Sequence, residues 1–378
     1  MNQHQFDIAI IGGGLAGLAL SIQSAGAGYK TILFEKEKYP FHKVCGEYVS
    51  MESFAFLESL GLPLSSMNLP VIHTLRVSDV KGKLYEFKLP LGGFGISRFA
   101  LDSALSNIAK QKGVELQESL KVSDVFFADD MFSLQAGNAV YHSKVAAGAY
   151  GKRSNLDIKW KRDFTLSKTD KLSNYVGVKY HVEYPFPKDT IALHNFYNGY
   201  CGISNIEDGK CCLCYLTTAE NLHRNNNSIK KTEQNILFEN PLLKQIFSEA
   251  KFLYDEPLAI SQISFSKKTQ VENSMLMIGD AAGMITPLCG NGMSMALHAG
   301  KIAFRNMNAF LQHTITRDTM EQRFTSQWQQ QFAKRLFMGR TVQRFFGNNT
   351  SASLFLKTMH YFPALANAVI KATHGKPF

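Results

Sequence analysis

The apolar residues of this chain fall into two rhythms. Unbroken runs at 6–11, 31–34 and 275–278 have the length and composition of strands buried on both faces. Alternating or strand-rich runs at 74–77, 84–88, 121–127, 131–135, 139–146, 175–183, 190–196, 199–204, 210–217 and 259–265 predict a second population of strands. The turn Glu207-Asp208-Gly209 predicts a hairpin between two of them. Helical spacing takes over elsewhere. Leu101, Leu105, Ile108 and Ala109 share one face of a helix that ends before Gly113. A short helix over 50–60 has Ser50 as its cap and Glu52 in its first turn. One helix is expected over 226–247, and the tail from 317 to 378 reads as helical, with Phe324, Trp328, Phe332, Leu336 and Phe337 recurring along it.

Two loops interrupt these elements in a way that carries chemistry. The first, Gly12-Gly13-Gly14-Leu15-Ala16-Gly17, joins a buried strand to a helix of small residues, and Glu35 follows the next strand. Gly12 allows a tight turn, Gly14 lets a pyrophosphate approach the backbone, and Gly17 lets helix and strand pack closely. Glu35 can accept hydrogen bonds from ribose hydroxyls. The second loop follows 275–278: Gly279-Asp280-Ala281-Ala282, then Pro287, and Gly290-Asn291-Gly292 ahead of a helix that begins near Met293. A helix start exposes unpaired N–H groups and the positive end of the helix dipole. Such a loop suits an electron-rich ring edge or a developing negative charge.

Composition narrows the class. The chain has 378 residues, enough for two or three domains, and its hydrophobic and charged fractions are those of a globular protein. The net charge of +10 is spread along the chain, so it suits an anionic cofactor or an acidic surface. No paired CxxC or helix-turn-helix signature points to nucleic acid. The six cysteines form no extracellular framework, and Cys211, Cys212 and Cys214 lack tetrahedral ligand spacing, so no metal is expected. The start MNQHQFD lacks a basic lead, and no run reads as a membrane span, so a cytoplasmic location is expected.

The two loops together resemble the FAD-dependent oxidoreductase superfamily of aromatic hydroxylases and geranylgeranyl reductases. Gly279-Asp280-Ala281-Ala282, Pro287, Gly290 and Gly292 match its second flavin motif. Pro40, Lys43, Cys45 and Gly46 match a segment of the reductase branch, with Glu47 where that branch has another glycine. Arg98 and Asp102 match an Arg and an Asp at the start of a family helix. The resemblance implies a Rossmann-like α/β FAD domain with an inserted antiparallel-sheet substrate domain and C-terminal helices. It places the FAD domain at 1–70, 95–155 and 256–310, the substrate domain at 71–94 and 156–255, and the helical region at 311–378. It assigns FAD to Gly12, Gly14, Ala16, Gly17, Glu35, Lys36, Lys43, Cys45, Arg98, Gly279, Asp280, Pro287, Gly290, Asn291, Gly292 and Met293. Cys45, Glu47 and Tyr48 are the candidates for catalysis, with His298 as a packed helix residue.

The same resemblance implies hydroxylation of a phenolic, polyketide-like or lipidic molecule through a flavin peroxide. Saturation of isoprenoid C=C bonds is the alternative, although the family's Y-x-W-x-F-P stretch is absent and the comparable place reads Tyr200-Cys201-Gly202-Ile203-Ser204. Halogenation is weaker, because W-x-W-x-I-P is missing and the only tryptophans are Trp160 and Trp328. A non-catalytic FAD scaffold or redox sensor is the reading of another class. It is favoured by Tyr150, which stands where relatives carry an aspartate tied to FAD and NAD(P)H. NAD(P)H as donor, a separate redox partner and peripheral membrane contact by the basic tail all stay open.

Overall fold

The computed structural model describes residues 4–166, 174–347 and 349–378. Residues 167–173, within the expected substrate domain, lie outside that description.

The first sheet has a parallel centre. Gln5–Ile11 lies between Thr31–Phe34 and Ala139–Gly148, and Met275–Met277 extends the sheet beside Ala139–Gly148. The glycine turn therefore falls at the carboxyl end of a central strand, where open α/β sheets bind their ligands. Leu15–Gly26 and Gly292–Leu311 pack against each other on this sheet, and Arg98–Gln111 packs on the first of them. Their buried faces join the strands in one core that includes Ile8, Ile10, Leu18, Leu33, Leu101, Leu105 and Leu276. The hairpin Val122–Ala128 and Met131–Ala136 adds antiparallel strands to Ala139–Gly148.

The second sheet has nine strands. It runs from Lys251–Phe252 through Tyr175–Glu183, Cys211–Thr218, Gly199–Asn205, Thr190–Phe196, Val71–Ser78 and Leu84–Gly95 to Tyr48–Ser50, with Leu258–Ile263 also on Tyr175–Glu183. It is antiparallel except where Thr190–Phe196 runs parallel to Val71–Ser78. One face buries Val178, Tyr180, Val182, Leu213 and Tyr215 against the short helices between 219 and 249. The other face meets the segment 42–48 and the C-terminal helices. Strand alternation makes this division, since successive side chains point to opposite faces.

The single helix expected over 226–247 is two helices, Ile229–Asn235 and Pro241–Glu249. Asn240 caps the second through Leu242 N–H, and Pro241 occupies its first turn, where the missing N–H costs nothing. In the tail, Phe324, Trp328, Phe332 and Leu336 are buried along Arg317–Gln343, whereas Phe337 points to solvent. Helices Asn349–Tyr361 and Pro363–Thr373 follow.

Candidate flavin site and substrate cavity

The first helix begins at Leu15 with Gly14 as an N-cap that has no side chain to bond the open N–H groups. Those donors and the helix dipole face outward, ready for an anion. A Cβ on Gly14 would meet only the tips of Arg98 (3.9 Å) and Lys43 (4.0 Å). Both cations bond Asp102, Arg98 through Nε and Nη2 at 2.7 Å each and Lys43 through Nζ at 3.0 Å. Burial would raise the Asp102 pKa, but the two cations hold it below the ordinary carboxylate range. The two cations thus stand over the turn, held by one carboxylate. Glu35, buried at the end of Thr31–Phe34, accepts from Gly13 N–H at 2.8 Å and so sits against the same turn. Its neighbour Lys36 is exposed and pairs with Glu37 at 3.2 Å.

The second loop lies between Met275–Met277 and the helix Gly292–Leu311. Among the described residues the Asp280 carboxylate receives no hydrogen bond, and burial pushes its pKa up against the pull of Lys268, Arg98 and Lys152. Lys268 donates to the carbonyls of Asp280 and Lys152, each at 2.8 Å, and its burial lowers its pKa to about 8. Asn291, the N-cap of the long helix, makes no capping bond; its Nδ2 donates to Thr373 O and its Oδ1 is buried with no partner among the described residues. Ala16 and Met293 are buried beside these loops, Pro287 is exposed, and Gly46 faces open space.

This donor set fits FAD. The uncapped first helix with Arg98 and Lys43 suits the pyrophosphate, Glu35 the ribose hydroxyls, and the unpaired Asp280 carboxylate the ribityl hydroxyls. The uncapped long helix offers N–H groups to the electron-rich edge of the ring.

A buried charge cluster, only faintly marked in the sequence, sits beside this cradle. Glu47 occupies a left-handed backbone position (φ 56°) and is fully buried. Its Oε1 accepts from Arg98 N–H at 2.8 Å and from Lys179 Nζ, and its Oε2 from His181 Nε2 at 2.6 Å. Burial would raise the Glu47 pKa, but the His181 hydrogen bond and the Lys179 charge outweigh it and lower the value. Lys179 and His181 lie two apart on Tyr175–Glu183, so one sheet face presents both. The sequence signal was a Lys and a His at alternate places in an otherwise apolar strand.

Cys212 is paired in register with His181, and the ligand atoms of Glu47, His181 and Cys212 lie within 4.8 Å of one another. The Lys179 ammonium already neutralises this carboxylate, so a cation would have to displace it. Cys211 faces the opposite way, towards the helix-covered core, as strand alternation requires. Cys45 is half-buried; its Sγ accepts from Glu47 N–H at 3.5 Å, and burial pushes its thiol pKa up, which keeps it protonated.

Beyond Tyr48 lies a cavity with about 860 Å³ of empty space including its open side. Leu75, Val77, Phe87, Leu89, Ile191 and Leu193 form the sheet wall, and the C-terminal helices form the other. Pro287, Leu288 and Gly290 of the flavin loop close one end. Nearly every lining group is hydrocarbon; the titratable exceptions are Tyr48 and His374. The Tyr48 hydroxyl is buried with no hydrogen-bond partner among the described residues, and burial raises its pKa, so it stays an O–H donor.

Tyr150 has a structural role. Its hydroxyl donates to Asp157 at 2.8 Å, and Arg162 bonds the same Asp157 oxygen at 2.8 Å. His298 stacks on Phe378 with ring centroids 4.0 Å apart, which makes it a packing residue. Trp160 and Trp328 do not line the large cavity.

The sequence pattern of the FAD binding domain matches residues 7–42. The chain thus carries the FAD-binding pattern found in the FAD-dependent oxidoreductase superfamily. Over 368 residues it is 22% identical to conditioned medium factor receptor 1 of Dictyostelium discoideum, covering 90% of this chain and 70% of that protein. Among solved structures it is similar to a flavin-dependent brominase, at TM-score 0.79 and 18% identity, over 98% of this chain and 93% of the other. It is equally similar in fold to a geranylgeranyl bacteriochlorophyll reductase-like protein of Thermoplasma acidophilum, at TM-score 0.78 and 16% identity, over 98% and 96%. These identities establish the shared fold, and with it the expected Rossmann-type FAD domain, second sheet and C-terminal helices. The cofactor of this flavoprotein is FAD.

Proposed function

We propose that this flavoprotein is a monooxygenase for an amphiphilic molecule with a long hydrocarbon body and a phenolic or carbonyl head. One observation carries the reading: a hydrocarbon-lined cavity ends at the Pro287–Gly290 loop and at Tyr48. Bound FAD would supply two-electron transfer and the activation of oxygen. The chain's own residues do the rest. The cavity wall excludes water and holds the hydrocarbon body by burial, at about 25 cal/mol per Å². Tyr48, kept protonated, donates to the oxygen of the head group and sets which carbon faces the ring. Glu47, held by Lys179, His181 and Arg98 N–H, fixes the strand entrance from which Tyr48 projects.

Saturation of a C=C bond is the second reading. The hydrocarbon lining favours it, since an isoprenoid chain needs no polar partner, and the fold is shared with a geranylgeranyl reductase-like protein. Halogenation is the third reading, supported by the fold shared with a flavin-dependent brominase. NAD(P)H is the donor we favour, from the cytoplasm, with a separate redox protein as the alternative that Tyr150 raises.

The test is an anaerobic titration of the FAD-loaded protein with NADPH and then NADH, followed by oxygen and a panel of alkyl phenols and polyprenyl lipids. Mass spectrometry then reads the product. Gain of one oxygen atom supports hydroxylation, and gain of two hydrogens without oxygen replaces it with reduction. Flavin that no donor bleaches, with or without these lipids, overturns both in favour of a scaffold.

A further inference from the structure

The two helices that wall the cavity also carry a large apolar surface on the outside. Asn349–Tyr361 turns Phe355, Leu356 and Met359 inward, and Pro363–Thr373 turns Ala366, Val369 and Ile370 inward. On the outside, Leu354 (66% exposed), Tyr361 (75%) and Phe362 (62%) project into solvent, with Leu365 beside them. The corner between the helices is thus a protruding aromatic tip. Water-exposed aromatic and aliphatic groups this close together mark a contact surface rather than ordinary surface.

Charge names the partner. From residue 322 to 378 the sequence holds eight Lys and Arg and no Asp or Glu. Lys357 is exposed within the outward turn between Leu354 and Tyr361, and Lys371 is exposed at the end of the last helix. Asp79 lies near Tyr85, Lys357 and Tyr361 but is buried, so the exposed charges carried by the tip's own helices are cations. Such a tip fits the interface of an anionic bilayer: the rings enter the acyl boundary and the lysines meet the head groups. A protein partner would need a matching acidic rim around an aromatic-accepting groove. A bilayer supplies both everywhere. We propose that the Tyr361-Phe362 corner docks this protein on anionic membrane surfaces, so that the cavity receives its substrate from the lipid phase. This rests on the apolar-substrate reading for what enters the cavity, but the docking itself does not depend on turnover.

The experiment uses the full FAD-loaded chain and sedimentation with vesicles of phosphatidylcholine alone or mixed equally with phosphatidylglycerol. No substrate is present. Binding is expected to the mixed vesicles, on the order of tenfold or more above neutral ones, and to fall as salt is raised. Lys357→Glu, a surface change that leaves the core alone, is expected to weaken it about fivefold or more. The double substitution Tyr361→Ser with Phe362→Ser is expected to abolish it, with flavin absorbance, thermal midpoint and turnover of detergent-dispersed substrate unchanged. Equal, weak sedimentation with both vesicle types overturns the proposal, as does wild-type binding by both variants. A wild-type dimer in solution that the double variant converts to monomer also overturns it and assigns the tip to a second copy of the chain. Failure of the functional reading would appear instead as absent turnover with vesicle binding intact.

Discussion

The ring of Tyr48 closes against the bare Cα of Gly290: a Cβ there would stand 2.8 Å from Tyr48 Cδ1. Gly290 also holds a left-handed backbone (φ 65°), so two independent reasons fix glycine at the contact of substrate cavity and flavin loop. Gly290→Ala is expected to strain the loop by about 1–3 kcal/mol and to push Tyr48 off its seat. Thermal unfolding reads the strain, and a shifted flavin spectrum reads the loop.

Tyr48→Phe separates a waiting hydroxyl from a structural one. Because the hydroxyl is buried and unpaired, its removal should leave stability unchanged or slightly raised. Turnover should fall by roughly tenfold to a hundredfold, the weight of one buried hydrogen bond to substrate. A clear loss of thermal midpoint with normal turnover would show that the hydroxyl serves the fold instead.

Asp280→Asn tests the second flavin motif. Among the described residues the carboxylate accepts no hydrogen bond, so the substitution should leave the fold intact. Purified protein is expected to carry far less FAD per chain, with a dissociation constant at least about tenfold higher, since a charge-assisted hydrogen bond is worth about 1.5–3 kcal/mol. Flavin content by absorbance against protein concentration measures it.

Glu47 gives the protein an acid limb. Its folded pKa is depressed, so it contributes stability above the unfolded carboxylate pKa, about 4.3, and loses it as pH falls from there through the lower folded value. Glu47→Gln should destabilise by about 3–5 kcal/mol at neutral pH, because Lys179 is left buried without its counter-charge. It should also flatten the fall in thermal midpoint below about pH 4.5. Melting curves of both proteins across that range provide the comparison.

Lys179→Met removes the cation from the same pair. It should destabilise by a similar amount, about 3–5 kcal/mol, and raise the Glu47 pKa towards the value that burial alone favours. The double variant Lys179→Met with Glu47→Gln should recover part of the loss, because neither leaves an unpaired buried charge. If the two single losses simply add, the residues are not coupled. Denaturant midpoints of the four proteins close the cycle.

Several elements were legible because their information is local. The glycine turn, its flanking strands and Glu35 occupy consecutive positions, and backbone sterics alone demand small residues there. Asp280 and the loop to Met293 were legible for the same reason. So was Arg98 with Asp102, which fall one helical turn apart and form the ion pair seen. The break at Asn240-Pro241 was also written locally, as a cap residue before a first-turn proline, but the apolar periodicity on both sides masked it.

The sequence by itself determined the nucleotide fold and pointed to FAD, since both rest on neighbours within a few tens of residues. Only the tertiary structure decided what surrounds the ring. Glu47 meets Lys179 and His181 across more than 130 residues of chain, and whether a buried charge is paired depends on what the fold brings to it. The cavity is likewise made by a sheet wall and a helix wall remote in sequence. Periodicity tells which face of an element is apolar, and packing tells whether that face meets a core, a substrate or a membrane.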